Sequence, residues 1–211
     1  MPDKIAMRLG ALILAGGRSK RMGRAKELLP FQHQTLLQRT VATLLQCAGP
    51  VVVVAREQAQ KLPALPAGVL VVLDDQPDAG PLAALVRGLR FLCFDQNLGA
   101  SDPVFVTGCD LPFLSVDAVR WLVQQLGRAP LVMPRAGGVL QPLAAIYRVS
   151  VLATAETLLQ QGTRTPRSLA TIPGARVLDE AEVRQFEPDL RFLRNVNTPD
   201  EYQHALDELR P

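Results

Sequence analysis

The chain has 211 residues, of which 48% are hydrophobic and 20% are charged, and its formal net charge is +3. This balance excludes a disordered chain, because enough apolar surface is present to offset the entropy of ordering it. Residues 1–40 carry eight Lys and Arg against two acidic residues, whereas residues 41–211 carry 15 against 18. We therefore expect a local anion near the start of the chain and no nucleic acid.

Cysteine usage and apolar runs indicate where in the cell the protein is expected. The three cysteines are odd in number and widely spaced, at Cys47, Cys93 and Cys109, which argues against a disulfide framework and a structural zinc site. The apolar run at 9–15 contains Gly10 and leads into glycines and basic residues, so it predicts a buried strand and not a signal peptide. No stretch approaches eighteen consecutive apolar residues, so we expect a cytoplasmic protein without a membrane segment.

Short apolar runs alternate with longer amphipathic stretches along the chain. The runs predict strands at 11–15, 50–55, 69–75, 103–110, 130–134, 141–148 and 176–179. The amphipathic stretches predict helices at 36–47, at 80–92, after a cap at Ser115, at 150–161 and after a cap at Thr198.

This alternation predicts an α/β fold: one domain over residues 1–211, with a doubly wound, mostly parallel sheet sandwiched by helices, of the Rossmann-like kind. Residues 162–195 are the least periodic part, and we expect them to form a peripheral excursion. Ligands of such folds bind at the carboxyl ends of the strands. The chemically distinctive residues lie at these ends of predicted strands: the loop after 11–15, the pair Asp74 and Asp75, and Asp110.

The loop after the first strand reads LAGGRSKRMGRAK over residues 14–26. Gly16 and Gly17 allow a sharp turn and a close approach to a ligand, and free backbone N–H groups at such a turn bind phosphates or a base edge. Neither GxxxxGK[ST] nor GxGxxG fits these residues. The pattern indicates an anion-binding loop that differs from both common phosphate loops.

Four motifs in order resemble the MobA-like nucleotidyltransferases. They are the LAGGxSxRMGxxK pattern at 14–26 followed by Leu28-Leu29-Pro30, DDQPDAGPLAAL at 74–85, VTGCDLPFL at 106–114 and RNVNTPDEY at 194–202. The resemblance spans residues 11–202 and implies a nucleotidyltransferase fold. Gly16-Gly17 and Gly80-Pro81-Leu82 favour guanine over the related cytidylyltransferase group.

The family resemblance implies that the terminal phosphate of molybdopterin attacks the α-phosphorus of GTP and releases pyrophosphate. GTP and molybdopterin are then the substrates, Mg²⁺ is the cofactor, and cofactor-delivering and cofactor-receiving proteins are transient partners. Cytidylyl transfer to the same pterin, sugar-phosphate nucleotidyl transfer and a non-catalytic nucleotide-binding module remain alternatives.

The resemblance also assigns roles to residues at the first loop and at the acidic strand end. Arg21 and Lys26 are expected to neutralise the triphosphate and the leaving pyrophosphate. Asp110 is expected to bind magnesium, which prefers oxygen ligands and takes one or two from protein. The nucleotide contacts implied by the motifs are Leu14, Ala15, Gly16, Gly17, Lys26, Asp75, Gly80, Pro81, Leu82 and Asp110.

Some assignments stay open. Asp75 aligns with the family's nucleotide-contacting Asp, but Asp74 is an equally acidic neighbour. The candidates for contact with the pterin substrate are Gln141, Asn195 and Asn197. The two asparagines also fit a helix-entry turn or a magnesium site. The family often has an Asn after the second strand, where this chain has Ala55 and Arg56, so that nucleotide contact is in doubt.

Overall fold

The computed structural model describes residues 8–17, 22 and 24–209. Arg21 and Gly23 of the first-loop motif lie outside these residues. The strands are β1 (Gly10–Leu14), β2 (Pro30–Phe31), β3 (Gln34–Thr35), β4 (Val51–Ala55), β5 (Val69–Leu73), β6 (Pro103–Gly108), β7 (Leu131–Ala136), β8 (Val139–Leu140), β9 (Ala144–Arg148) and β10 (Arg176–Leu178). The helices are α1 (Leu36–Leu44), α2 (Pro81–Phe94), α3 (Val116–Leu126), α4 (Leu152–Gln160), α5 (Glu180–Phe186) and α6 (Pro199–Asp207).

The central sheet has the strand order β10-β7-β9-β6-β1-β4-β5, and β8 pairs with β7. Strand β1 lies between β4 and β6 and runs parallel to both. Strand β5 is also parallel to β4, so four neighbouring strands present their carboxyl ends at one edge of the sheet. The predicted α/β fold with a mostly parallel sheet is confirmed.

Strand β9 is the main exception, because it runs antiparallel to both β6 and β7. The chain has only residues 137–143 between β7 and β9, and this segment includes β8. A parallel connection requires a crossover of a dozen or more residues, so a link this short imposes antiparallel pairing.

Helices cover both faces of the sheet. Alternate residues of β1 point to opposite faces, with Ala11 and Ile13 in one core and Leu12 and Leu14 in the other. The first core includes apolar residues of α1, α3 and α5, and the second includes those of α2 and α4. Because both faces are covered, the central strands are continuous apolar runs, which is why the sequence predicts them well.

Side-chain caps define the helix starts. The Ser115 hydroxyl accepts a hydrogen bond from the Ala118 N–H at the start of α3. The Thr198 hydroxyl accepts from the Glu201 N–H in a capping box at the start of α6. Both caps agree with the sequence prediction, and each stabilises its helix by about 1 kcal/mol.

Residues 162–195 depart from the predicted peripheral excursion. Strand β10 pairs with β7 in the main sheet, and Leu178, Val183 and Phe192 are fully buried. The apolar residues of this segment are spread over very short elements, so no hydrophobic periodicity is long enough to predict these elements from the sequence.

Among the described helices, none combines the length and the apolar character that a membrane crossing requires.

The contact between α2 and β1 depends on a glycine. A Cβ at Gly88 would lie 2.2–2.9 Å from three side-chain carbon atoms of the fully buried Leu12. We predict that Gly88→Ala lowers the free energy of unfolding by about 1–2 kcal/mol, because the overlap outweighs the gain in helix propensity. Urea unfolding measures the change.

The matched test shortens the opposing side chain. Leu12→Val alone destabilises by leaving a cavity, but in the Gly88→Ala background it relieves the overlap, so the two changes together cost less than their sum. Strict additivity would contradict this account of the contact.

Candidate active site

Two cavities meet at the carboxyl end of β1. The first, of about 180 Å³, we call the lysine cavity; its lining includes Ala15, Lys26, Glu27, Gly108, Cys109 and Asp110. The second, of about 340 Å³, we call the arginine cavity; its lining includes Gly16, Arg56, Asp74, Asp78, Gly80, Pro81 and Ala84. Leu14, Gly17 and Leu143 line both cavities, so one elongated ligand can occupy the two together.

The lysine cavity is organised around one ammonium group. Lys26 Nζ lies 3.0 Å from Asp110 Oδ2 and 2.7 Å from Asn197 Oδ1, and donates a hydrogen bond to each. The Lys26 and Asp110 side chains are only 14% and 22% exposed. Because these groups are charged and mostly shielded from water, the contacts are stronger than a surface ion pair.

The backbone holds Asp110 at the end of β6. A Cβ at Gly108 would lie 2.6 Å from Asp110 Oδ1, so only glycine leaves room for the carboxylate in this position. The Asp110 carbonyl accepts a hydrogen bond of 2.9 Å from the Val196 N–H, which brings the segment containing Asn197 to the strand end. The adjacent Cys109 is buried, and burial raises the pKa of its thiol, so it is neutral here.

One amide connects the first loop to the segment after β4. Gln60 Oε1 accepts from the Arg56 N–H at 2.6 Å, while Gln60 Nε2 donates to the Ala15 carbonyl at 2.7 Å and to Glu27 Oε1 at 2.6 Å. The sequence prediction misses Gln60, because it lies in an irregular segment and each of its partners is distant or on the backbone. It positions the loop without lining either cavity.

The arginine cavity has glycines at its base and charged side chains on its walls. Gly16 lies beneath Arg56, since a Cβ at position 16 would approach Arg56 Cβ to 3.3 Å. Gly80 has a φ of +95°, and a Cβ there would lie 2.7 Å from the Arg164 carbonyl oxygen. That oxygen accepts from the Leu82 N–H at 3.0 Å, so the segment after α4 buttresses the turn before α2.

The two neighbouring aspartates have different surroundings. Asp74 lines the arginine cavity and accepts a hydrogen bond from the Gln76 N–H. Asp75 is directed elsewhere: its carboxylate lies 3.1 Å from Arg87 Nε and is 61% exposed. Burial raises the pKa of Asp74, and the nearby carboxylates of Asp75 and Asp78 raise it further.

The structure thus brings together most of the residues that the motifs single out, but not all. Leu82 is fully buried in the core beneath the turn. Asn195 Nδ2 donates to the Leu193 carbonyl, and Gln141 Nε2 donates to the Val139 carbonyl, so both make contacts within their own loops. Of the three pterin candidates, Asn197 alone contacts the lysine cavity's charged groups among the described residues. Arg21 lies outside the described part of the chain.

The donor chemistry of the lysine cavity suits a hard cation with few protein ligands. The described residues contain no group of three or more His, Cys, Asp or Glu side chains placed to hold a metal ion. Asp110 Oδ2 and Asn197 Oδ1 are nevertheless two hard oxygens directed at the same cationic nitrogen. Magnesium takes one or two protein oxygens and completes its coordination with water and phosphate, so this pair fits it.

The surroundings of Asp74 give a stability prediction. Because the pKa of Asp74 is raised in the folded state, folding favours its protonated form. Ionisation of Asp74 therefore lowers the free energy of unfolding as pH rises through the folded-state pKa. We expect Asp74→Asn to raise the free energy of unfolding at pH 7, because Asn carries no charge. This gain should disappear as pH falls below the ordinary pKa range of an Asp carboxyl, where Asp74 is protonated in both states. Urea unfolding at several pH values measures it.

The exposed Asp189 supplies the control, because Asp189→Asn removes the same charge without a buried site. An Asp74→Asn variant that is no more stable at neutral pH than the Asp189→Asn variant would contradict the expectation.

Comparisons with known proteins agree with this architecture. Residues 11–177 match the MobA-like NTP transferase domain. A molybdenum cofactor guanylyltransferase of Syntrophotalea carbinolica is 31% identical over 201 residues, covering 92% of this chain and 88% of that protein. A probable molybdenum cofactor guanylyltransferase of Mycolicibacterium paratuberculosis is 35% identical over 198 residues, covering 92% of each.

Solved structures agree on the fold. The molybdopterin-guanine dinucleotide biosynthesis protein A of Archaeoglobus fulgidus superposes with a TM-score of 0.74 at 19% identity, over 94% of this chain and 97% of that one. The 2-C-methyl-D-erythritol 4-phosphate cytidylyltransferase of Thermus thermophilus gives a TM-score of 0.67 at 17% identity, over 96% and 98%. With the motifs, the sheet and the two joined cavities, the match over residues 11–177 shows that this chain belongs to the MobA-like NTP transferase family.

Proposed function

We propose that this protein transfers the guanylyl group of GTP to the terminal phosphate of molybdopterin and releases pyrophosphate. The names of the two relatives described above, at 31% and 35% identity, support this reaction. The observation that carries it is the Lys26 ammonium, held between Asp110 and Asn197 in the lysine cavity next to the arginine cavity. A nucleoside in the arginine cavity would extend its phosphates over the first loop toward this charge.

The residues of the site contribute position and charge. In the transfer, a phosphate oxygen of the pterin forms a bond to the α-phosphorus, and the bond from that phosphorus to the bridging oxygen of the β-phosphate breaks. Such reactions need in-line alignment and neutralisation of phosphate charge more than covalent help from the protein. The backbone at Gly16 and Gly17 permits close approach of the phosphates, and Lys26 supplies a compact positive charge beside them.

Asp110 and Asn197 are the residues that would hold Mg²⁺. The Lys26 ammonium lies within hydrogen-bonding distance of both oxygens, which supports a cation-binding role for this pair. When bound, Mg²⁺ supplies neutralisation of the charge on the phosphate oxygens. Gly108 and the Val196 N–H keep Asp110 in place for this role.

The guanine base is assigned to the arginine cavity, with Asp74 as its carboxylate acceptor. An ionised carboxylate can accept from guanine N1–H and N2–H₂ together, a donor pair that adenine lacks. Asp74 lines this cavity, whereas Asp75 is paired with Arg87. We therefore assign the contact that the motif alignment gives to Asp75 to its neighbour Asp74.

Nucleotide choice tests the proposal directly. The protein is incubated with Mg²⁺, molybdopterin and GTP, CTP, ATP or UTP in turn, and pyrophosphate release is measured. We expect turnover with GTP to exceed turnover with each other nucleotide by at least about 10-fold, since a charged hydrogen bond to a base distinguishes its partners by that order. Equal turnover with CTP, or none with GTP, would overturn the guanylyl assignment.

Two substitutions test the acidic strand end. Asp110→Asn should lower kcat at least about 100-fold by removing a charge from the cation site, a loss typical of electrostatic catalytic groups. Gly108→Ala should lower kcat by about 10–100-fold although it removes no functional group, because its Cβ displaces the Asp110 carboxylate.

The exposed Asp117 on α3 provides the control, since Asp117→Asn changes the same charge away from both cavities. Circular dichroism establishes that each variant is folded. If folded Asp110→Asn keeps the activity of Asp117→Asn, then Asp110 does not serve the reaction.

A further inference from the structure

Arg56 lies in the arginine cavity with its guanidinium group tightly restrained. Its Nη2 contacts Asp78 Oδ1 at 3.0 Å and Oδ2 at 3.1 Å. Its backbone N–H is bonded to Gln60, and its Cβ rests over Gly16. The side chain is 22% exposed, so a long and normally mobile residue is held in one place at the wall of the cavity.

This arrangement leaves donor capacity unused. Arg56 Nε is buried and has no hydrogen-bond acceptor among the described residues, although a Glu57 carboxylate oxygen lies 3.7 Å away. Within the same part of the chain, no hydrogen bond is formed by Nη1 either. An unsatisfied buried donor lowers stability, whereas a partly exposed ion pair such as Arg56–Asp78 contributes little. Stability alone therefore does not account for Arg56, and its side chain lines a cavity that suits a ligand.

The chemistry of a guanidinium selects among bases. It offers only donors, in a planar fork that matches the O6 and N7 acceptors of guanine. Adenine has an amino group in place of O6, and cytosine also has an amino group. Each amino group is a donor and cannot accept a hydrogen bond from the guanidinium. Asp74, which lines the same cavity, offers the complementary acceptor for N1–H and N2–H₂.

We propose that Arg56 is a specificity-determining residue, which donates hydrogen bonds to the O6 and N7 edge of the guanine base while Asp78 holds its guanidinium in position. This inference rests on the proposed function, because it assigns the recognition of the base in that reaction. Two side chains of opposite charge would then recognise the base: Arg56 donates to O6 and N7, and Asp74 accepts from N1–H and N2–H₂.

The test couples the residue to one atom of the nucleotide. Dissociation constants of GTP, 7-deaza-GTP and ATP are measured by calorimetry with Mg²⁺ for the full chain and for Arg56→Ala. 7-Deaza-GTP replaces N7 by a carbon, so it removes one acceptor and leaves the phosphates unchanged. We expect the unaltered protein to bind 7-deaza-GTP about 10-fold more weakly than GTP, and Arg56→Ala to bind both equally and about 10–100-fold more weakly than the unaltered protein binds GTP.

One further variant separates the planar guanidinium group from its positive charge, and a second serves as the control. Arg56→Lys keeps the positive charge but loses the planar fork, so it should lose most of the discrimination against 7-deaza-GTP. Arg90→Ala is the matched control: Arg90 is on α2, pairs with Glu156 at 2.7 Å and lines neither cavity, so GTP affinity should be unchanged.

Each other outcome has a distinct meaning. Equal weakening of GTP, 7-deaza-GTP and ATP by Arg56→Ala would make Arg56 a general phosphate charge and overturn the proposal. Should Arg56→Ala fail to fold, equal affinity of the unaltered protein for GTP and 7-deaza-GTP would overturn it as well. A preference for CTP over GTP in the pyrophosphate-release assay would overturn the proposed function and this inference together, whereas a GTP preference there without the N7 coupling overturns only the role of Arg56.

Discussion

The site depends on one ammonium group that binds two oxygens from distant parts of the chain. Lys26 is 84 residues from Asp110 and 171 residues from Asn197, and its Nζ contacts both. No local structure imposes these contacts, so the sheet, the turn after β6 and the start of α6 must all be in place first. The geometry of the site is therefore a product of the complete fold.

A small aromatic core supports this arrangement from below. Phe31, Phe113 and Tyr202 come from three separate segments, and Phe31 contacts both other rings at centroid distances of 6.3 and 6.5 Å. Arg191 and Arg194 lie 4.3 and 4.4 Å from the centroid of the Phe113 ring. This core joins the chain after the first loop, the segment after Asp110 and α6, which are the three segments whose polar ends meet at Lys26.

The charge of the protein is understood from the same site. Most of the basic excess near the start of the chain lies in the sequence of the first loop, and two described cations near the cavities meet carboxylates from distant segments. Lys26 meets Asp110, and Arg56 meets Asp78. The net charge of +3 conceals this, because opposite charges from separate segments cancel in the sum.

The sequence predicts what is local and misses what is tertiary. Strands such as β4 are continuous apolar runs and Ser115 caps its helix through neighbours in the chain, so both were predictable. The position of Asp110 just after a strand was predictable, because the apolar run of β6 leads directly to it. The different surroundings of Asp74 and Asp75 and the connecting role of Gln60 were not predictable, because they depend on partners up to 45 residues away.

The position of α2 beside the arginine cavity depends on a residue outside that cavity. Ala84 lines this cavity, and Gly88 lies one turn further along the same face of α2, directly against Leu12 of β1. The absence of a side chain at position 88 lets the helix approach the strand closely, which keeps Pro81 and Ala84 near the first loop. The space in the arginine cavity thus depends on a helix-to-sheet spacing, and a change in that spacing would alter the cavity without a substitution at any residue that lines it.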